Sequence, residues 1–303
     1  MKTQRIATHP SPISPIPLPP FNRGNGFQQE NDLVTLAALE RTLHQFDTIS
    51  LKKMEKVALL NRTDTKYVMH MGQLHQALGR LTDRYRVLKV KGTRLNHYQT
   101  VYFDTPDFAL YTRHHDGFRS RYKVRSREYV DSHQSFLEVK FKTNKDRTIK
   151  SRLQTADVVT EFDRETTAFI RSHYPNNPAA LEPQLWNEFL RITLVSRHAV
   201  ERLTLDVNLE FHRDAQWAAL PGIAIAEVKQ EGFSMQSDFI QEMRRMGIRP
   251  SGFSKYCMGV ATLVDGVKKN NFKPRMLHMN KLMHGNMQGN MQGNMQGNAQ
   301  GGI

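Results

Sequence analysis

The chain has 303 residues, 39% of them hydrophobic and 24% charged, with 43 Lys and Arg against 29 Asp and Glu. A formal charge of +14 excludes a neutral scaffold and points to an anionic partner: nucleic acid, anionic lipid or phosphorylated small molecules. No run approaches the roughly 18 apolar residues of a membrane span, and a single cysteine, Cys257, excludes a disulfide framework and a Cys-based zinc site. The N-terminus has basic residues but no apolar core of a secretory signal, so a cytoplasmic location is expected.

In chain order, residues 1–30 read as a disordered Pro-rich N-terminus, since six of the 13 prolines fall within residues 1–20. Asn31–Asp47 has apolar residues at helical spacing, as does Gln73–Leu81. Strands are expected near 64–70, 97–103, 117–129, 134–142, 193–198, 201–211 and 223–230. Thr160 is a candidate cap for a helix through Tyr174. Ser234 or Ser237 is one for a helix through Met246, stopped by Gly247 and Pro250, and Gly252–Val264 reads as a final helix. The GNMQ repeat makes 283–303 a low-complexity tail, leaving 31–282 as one folded domain. Strands outnumber helices without regular alternation, an α+β pattern.

The charge on these strands falls on one face. In Arg119-Ser-Arg121-Tyr-Lys123-Val-Arg125-Ser-Arg127 every odd position is cationic, so five cations point the same way. Glu138 and Lys140 alternate with Leu137, Val139 and Phe141; Arg202, Thr204, Asp206 and Asn208 with Leu203, Leu205 and Val207; and Glu227 and Lys229 flank Val228. A solvated sheet face is the plain reading. Against it, like charges about 7 Å apart repel by roughly 0.6 kcal/mol per pair in water, so four pairs cost about 2 kcal/mol that a bound polyanion would relieve. For Glu138, Asp206 and Glu227 two readings stay open: neutralising a cross-strand cation, or holding a divalent metal that bridges phosphates. Polar faces turned inward would make an antiparallel β-barrel with a basic interior, flanked by helices, suited to a triphosphate or phosphate chain.

Arg62-Thr-Asp64-Thr-Lys66-Tyr67, Tyr102-Phe103-Asp104-Thr105, Lys123-Val-Arg125-Ser-Arg127, Glu138-Val-Lys140, Arg197, Arg202-Leu-Thr-Leu-Asp206, Glu227-Val-Lys229 and Ser254-Lys255-Tyr256 occur in that order. This succession resembles the VTC domain, the polyphosphate polymerase module of the vacuolar transporter chaperone complex and its free-standing bacterial relatives, over roughly residues 46–265. The resemblance implies a triphosphate-tunnel fold related to the CYTH proteins. It also implies transfer of the γ-phosphoryl group of ATP to a growing polyphosphate chain, with ADP released and Mn²⁺ (or Mg²⁺) as cofactor. By the same resemblance Lys66, Arg125 and Arg127 contact the triphosphate. Lys140, Lys150, Arg197 and Lys255 line the tunnel, Arg202 and Lys229 join the nucleotide site, and Glu227 holds the metal, with Glu138 and Asp206 as further candidates. The SPX domain and membrane helices of the eukaryotic complex are not in the sequence, so a soluble, stand-alone polymerase is expected, with ATP and inorganic polyphosphate as partners.

The Glu-x-Glu-x-Lys signature of CYTH hydrolases and class IV cyclases is replaced by Arg62-Thr-Asp64-Thr-Lys66, which favours a polymerase over a tripolyphosphatase. A non-enzymatic polyanion or nucleic-acid-binding protein is the third reading. It is disfavoured because only Tyr122 and Tyr129 accompany the basic strand, where exposed aromatics are usual. An attacking phosphate is already anionic, so no nucleophilic side chain is needed. The 13 histidines, including His114 and His115, and Cys257 therefore read as surface or core residues.

Overall fold

The computed structural model describes residues 35–55, 62–145, 147–232 and 234–284. The expectations for the Pro-rich segment 1–30 and for the GNMQ repeat from Gly285 lie outside the described residues. The first half comprises α1 (Leu36–Leu43), β1 (Thr48–Ile49), α2 (Leu51–Glu55), β2 (Arg62–His70), α3 (Met71–Gly79), β3 (Tyr85–Leu88), β4 (Asn96–Asp104), α4 (Ala109–His115), β5 (Arg121–Tyr129) and β6 (Gln134–Lys142). The second half comprises β7 (Thr148–Thr155), α5 (Arg164–His173), β8 (Glu182–Ser196), β9 (Glu201–Arg213), β10 (Gln216–Leu220), β11 (Ile223–Glu231), α6 (Asp238–Arg245), α7 (Lys255–Leu263) and α8 (Lys273–His284). This is an α+β fold, and the eleven strands form one sheet whose main path runs β2-β11-β9-β8-β4-β5-β6-β7.

All pairings along that path are antiparallel. The expected barrel is not closed by hydrogen bonds, because β2 and β7 are the two ends of the path. The sheet nevertheless curls. On a flat sheet β2 and β5 would stand five strand spacings apart, about 24 Å at ~4.8 Å each. Yet Lys66 of β2 and Lys123 of β5 line one cavity of about 300 Å³.

Two layers of apolar packing force the curl. On the outer face, Tyr67, Met69, Leu203, Leu205, Ala224 and Val228 pack under α1, α3 and α6 through Leu39, Leu43, Leu74, Leu78, Phe239 and Met243. Farther along, Val101, Val124, Leu137 and Val139 pack against Ile170 of α5. The inner face is not polar along its whole length, as the strand patterns suggested. One end is apolar and is filled by α7, whose Tyr256, Cys257, Val260 and Ala261 meet Val68, Tyr102, Leu185, Phe211 and Ile225. Gly259 permits this close approach. A Cβ there would lie 2.5 Å from Leu185 Cδ2 and 2.7 Å from Phe211 Cδ1.

Local chemistry sets the helix ends. Ser237 caps α6 by accepting from Ile240 N, and Ser254 caps α7 by accepting from Cys257 N. For α5 the cap is Asp163, which accepts from Thr166 N at 2.8 Å, rather than the expected Thr160. The buried Asp104 carboxylate accepts from Leu110 N and Tyr111 N, both at 2.8 Å, and from the Tyr256 hydroxyl, so it ties α4 and α7 to the sheet. Among the described residues, no helix is long and apolar enough to cross a membrane.

Candidate functional site

The strand register brings the ionic side chains together. Lys66 stands opposite Glu227, Arg191 opposite Asp206, and Arg125 opposite Glu138. Lys123, Lys140 and Lys150 stand in line across β5, β6 and β7 with no acid between them. Directly opposed like charges are destabilising in a sheet, so this row marks where a bound anion would be most favourable.

Each of the three carboxylates is shared by two cations. Glu138, almost fully buried, takes Arg125 at 2.6 Å and Lys150 at 2.5 Å. Asp206 receives Arg191 through two bonds of 2.5 and 2.7 Å and also the Lys255 ammonium. Glu227 takes Lys229 at 2.7 Å and Lys66 at 3.7 Å. Burial pulls all three carboxyls upward, but the flanking cations outweigh it and hold each below its ordinary range. Among the described residues, Lys123, Arg127 and Lys140 have no carboxylate ion pair. Lys123 donates to Ser254 Oγ at 2.8 Å, and Arg127 to Thr100 Oγ1 at 3.0 Å.

These unpaired cations bear the strain of the arrangement. Loss of surrounding water within the curl, and then Lys123 and Lys66, push the Lys140 ammonium down to about 7. Burial likewise pushes Lys229 down to about 8, despite Glu227 beside it. Lys123 and Lys255 are lowered too, chiefly by burial.

Beneath the guanidinium groups lies an aromatic shelf of Tyr98 and Phe189, stacked at 5.3 Å. Arg127 and Arg191 lie over both rings at 4.8–5.7 Å, and the Lys255 ammonium lies 4.4 Å from the Phe189 centroid. The segment 251–254 crosses the curl. Ser251 N donates to Lys66 O at 2.8 Å, and Lys66 Nζ donates to the Phe253 carbonyl at 3.1 Å.

Of the sequence candidates, Lys66, Arg125, Arg127, Lys140, Lys150, Lys229, Lys255, Glu138, Asp206 and Glu227 converge on this inner face. Arg202 lies farther along the same face of β9, opposite Lys229. Arg197 does not join them. It follows the end of β8 and pairs with the exposed Asp47 at 2.5 Å, because the turn to β9 carries it off the sheet face. Arg191, six residues earlier and absent from the expected set, is the β8 cation that faces inward. Its signal was a lone cation in the apolar run Phe189-Leu-Arg191-Ile, a position that demands a buried partner. His114 was read as surface or core, yet it lines the cavity with Lys66, Lys123 and Lys140. Arg121 lines it too, whereas Arg119 precedes the strand and is exposed.

The metal expectation divides. No group of three or more His, Cys, Asp or Glu among the described residues could hold an ion. Glu138 and Asp206, with side chains only 1% and 5% exposed, are each engaged by two cations, the charge-balancing arrangement of the two expected for them. Glu227 is 21% exposed, and only one of its two cations lies closer than 3.5 Å. Of the three carboxylates, Glu227 is therefore the one that could meet a divalent cation.

Among solved structures, a conserved hypothetical protein of Pyrococcus furiosus is 10% identical, with a TM-score of 0.37 over 64% of this chain and 98% of its own. A candidate adenylate cyclase of Bacillus halodurans is 11% identical, with a TM-score of 0.39 over 64% of this chain and 94% of its own. A candidate adenylyl cyclase of Hippeastrum, described as having a dominant triphosphatase activity, is 13% identical, with a TM-score of 0.39 over 67% and 97%. No curated protein gives a significant match. The sequence profile of the VTC domain, by contrast, matches residues 61–264, which span every strand from β2 to β11 together with α7. With two thirds of its length under that profile, the chain belongs to the VTC domain family.

Proposed function

We propose that the protein is a polyphosphate polymerase that transfers the γ-phosphoryl group of ATP to the end of a polyphosphate chain and releases ADP. One observation carries this reading. Cations from β2, β5, β6, β7, β8, β11 and α7 converge on one curled face, and among the described residues Lys123, Arg127 and Lys140 have no carboxylate of their own. That arrangement suits a ligand that is a line of anions.

In this reading Lys66, Arg125 and Arg127 hold the triphosphate, Arg guanidinium forks matching phosphate oxygens in pairs. An ionised oxygen of the terminal phosphate attacks the γ-phosphorus in line. The bond to the β–γ bridging oxygen breaks, its electron pair leaves with ADP, and the chain is one phosphate longer. The attacking oxygen carries no proton, so no general base is required. Lys140, Lys150, Arg191 and Lys255 balance the charge spread over the transferring group, which is the main demand of phosphoryl transfer. A divalent metal, Mn²⁺ or Mg²⁺, met by Glu227 would neutralise part of the phosphate charge when bound.

The test is incubation of purified protein with ATP and Mn²⁺, with products resolved on a gel stained for polyphosphate and ADP and orthophosphate assayed in parallel. A ladder with matching ADP supports the polymerase. Orthophosphate without polymer would instead assign a triphosphate hydrolase.

A further inference from the structure

We propose that His114 is a phosphate-contacting residue at the mouth of the channel, and that an entering triphosphate or polyphosphate end drives a proton onto its imidazole. This rests on the channel reading above but goes beyond it, since the transfer itself uses no histidine.

The placement of His114 is fixed by its neighbours. The Asp104 carboxylate anchors the first turn of α4, and His115 is held by its own partners: its Nδ1 lies 2.8 Å from Asp116 Oδ1 and its Nε2 accepts from Asn271 N. His114 is left beside the Phe272 ring at 6.1 Å and facing the cavity. Four cations act on it from three other elements: Lys66 of β2, Arg121 and Lys123 of β5, and Arg275 of α8. Lys140 and Lys142 of β6 line the same cavity, and among the described residues the one further titratable group there is the buried thiol of Cys257. No carboxylate is among the described lining residues, and among the described residues His114 Nδ1 has no hydrogen-bond partner.

Most buried polar nitrogens are satisfied, and His114 Nδ1 is one of the exceptions. Here burial and the four cations hold the imidazole neutral, with its pKa down at about 2. A ligand bearing several negative charges reverses that field. It cancels the cations and offers oxygens to which an imidazolium donates, so binding and protonation favour each other.

The experiment uses inorganic tripolyphosphate and the full chain. In imidazole ¹H–¹⁵N correlation spectra, with the His114 signals assigned by the His114→Gln variant, His114 of the free protein is expected to stay neutral at pH 5. At saturating tripolyphosphate and pH 6 its signals should move to imidazolium positions. Calorimetry at pH 6 in two buffers of different ionisation enthalpy should count about one proton more taken up per tripolyphosphate by the wild type than by His114→Gln, the protons released by the ligand's own terminal phosphates being common to both. Lys140, at about 7, is already about nine-tenths protonated at pH 6 and adds little to that count. A wild-type imidazole that stays neutral in the complex, or equal uptake in the variant, would overturn this inference alone. Absence of tripolyphosphate binding would overturn the channel reading and this inference together, whereas binding with proton uptake but no polymer would sink only the polymerase assignment.

Discussion

Arg191 and Arg197 lie six residues apart and have opposite fates. The two bonds from Arg191 to Asp206 lie in a nearly dry site, with side-chain exposures of 15% and 5%. Removing one partner of a buried pair leaves an uncompensated charge, so Arg191→Ala is expected to cost about 3–5 kcal/mol in denaturant unfolding and to weaken tripolyphosphate binding. Arg197 pairs with Asp47, which is 74% exposed, so Arg197→Ala should cost under about 1 kcal/mol and leave binding intact. Equal effects of the two would contradict the assignment. Lys140 makes a pH prediction. Its ammonium sits at about 7 in the fold against an ordinary 10.5. Between those values the unfolded chain holds the proton and the folded chain does not. Lys140 is exposed by surface area, so solvent screens its penalty on stability, which is fullest below about pH 7 and is relieved as pH rises toward 10.5. Urea midpoints measured at pH 7 and pH 9 should rise less in Lys140→Gln than in the wild type, and an equal rise would refute the shift.

At the scale of elements, α7 decides whether the curl is open or filled. It packs onto β8 and β9 on the inner face at Gly259, and it carries Lys255 to Asp206 and its cap Ser254 to Lys123. A methyl group at position 259 must displace Leu185 or the Phe211 ring. Gly259→Ala is therefore expected to cost about 1–3 kcal/mol by overpacking and, because the same helix holds two cations in place, to weaken tripolyphosphate binding in calorimetry. Unchanged melting and unchanged binding would mean that α7 is not seated so tightly. Burial on both faces also explains why most of β8 escapes a reading by alternation: α7 covers its inner side and the outer helices the other, so residues 184–195 are mostly buried without a period of two. β7 escapes for the converse reason. It is an end strand with exposed Ile149 and few apolar residues.

For the whole molecule, the curl gathers cations from six strands and α7 onto one face, and the folded state carries their repulsion until an anion enters. A ligand that binds only the folded state stabilises it by about 2.7 kcal/mol at a hundredfold excess over Kd. Tripolyphosphate should thus raise the melting temperature by roughly 5 °C, and more strongly at low ionic strength. A melting curve insensitive to tripolyphosphate at every salt concentration would contradict the basic channel.

The sequence by itself determined which strand faces are ionic, because side chains alternate along an extended backbone. It also determined the α+β class and the ordered motifs of the family. The tertiary structure alone decided which of those charges meet. Whether Arg191 or Arg197 faces inward, whether Glu138 and Asp206 neutralise cations or stay open to a metal, and whether His114 lies among lysines all depend on the curl of the sheet and the seat of α7. Both are set by packing between residues dozens to more than a hundred positions apart, such as Gly259 with Leu185 and Tyr256 with Tyr102, and no local period records it.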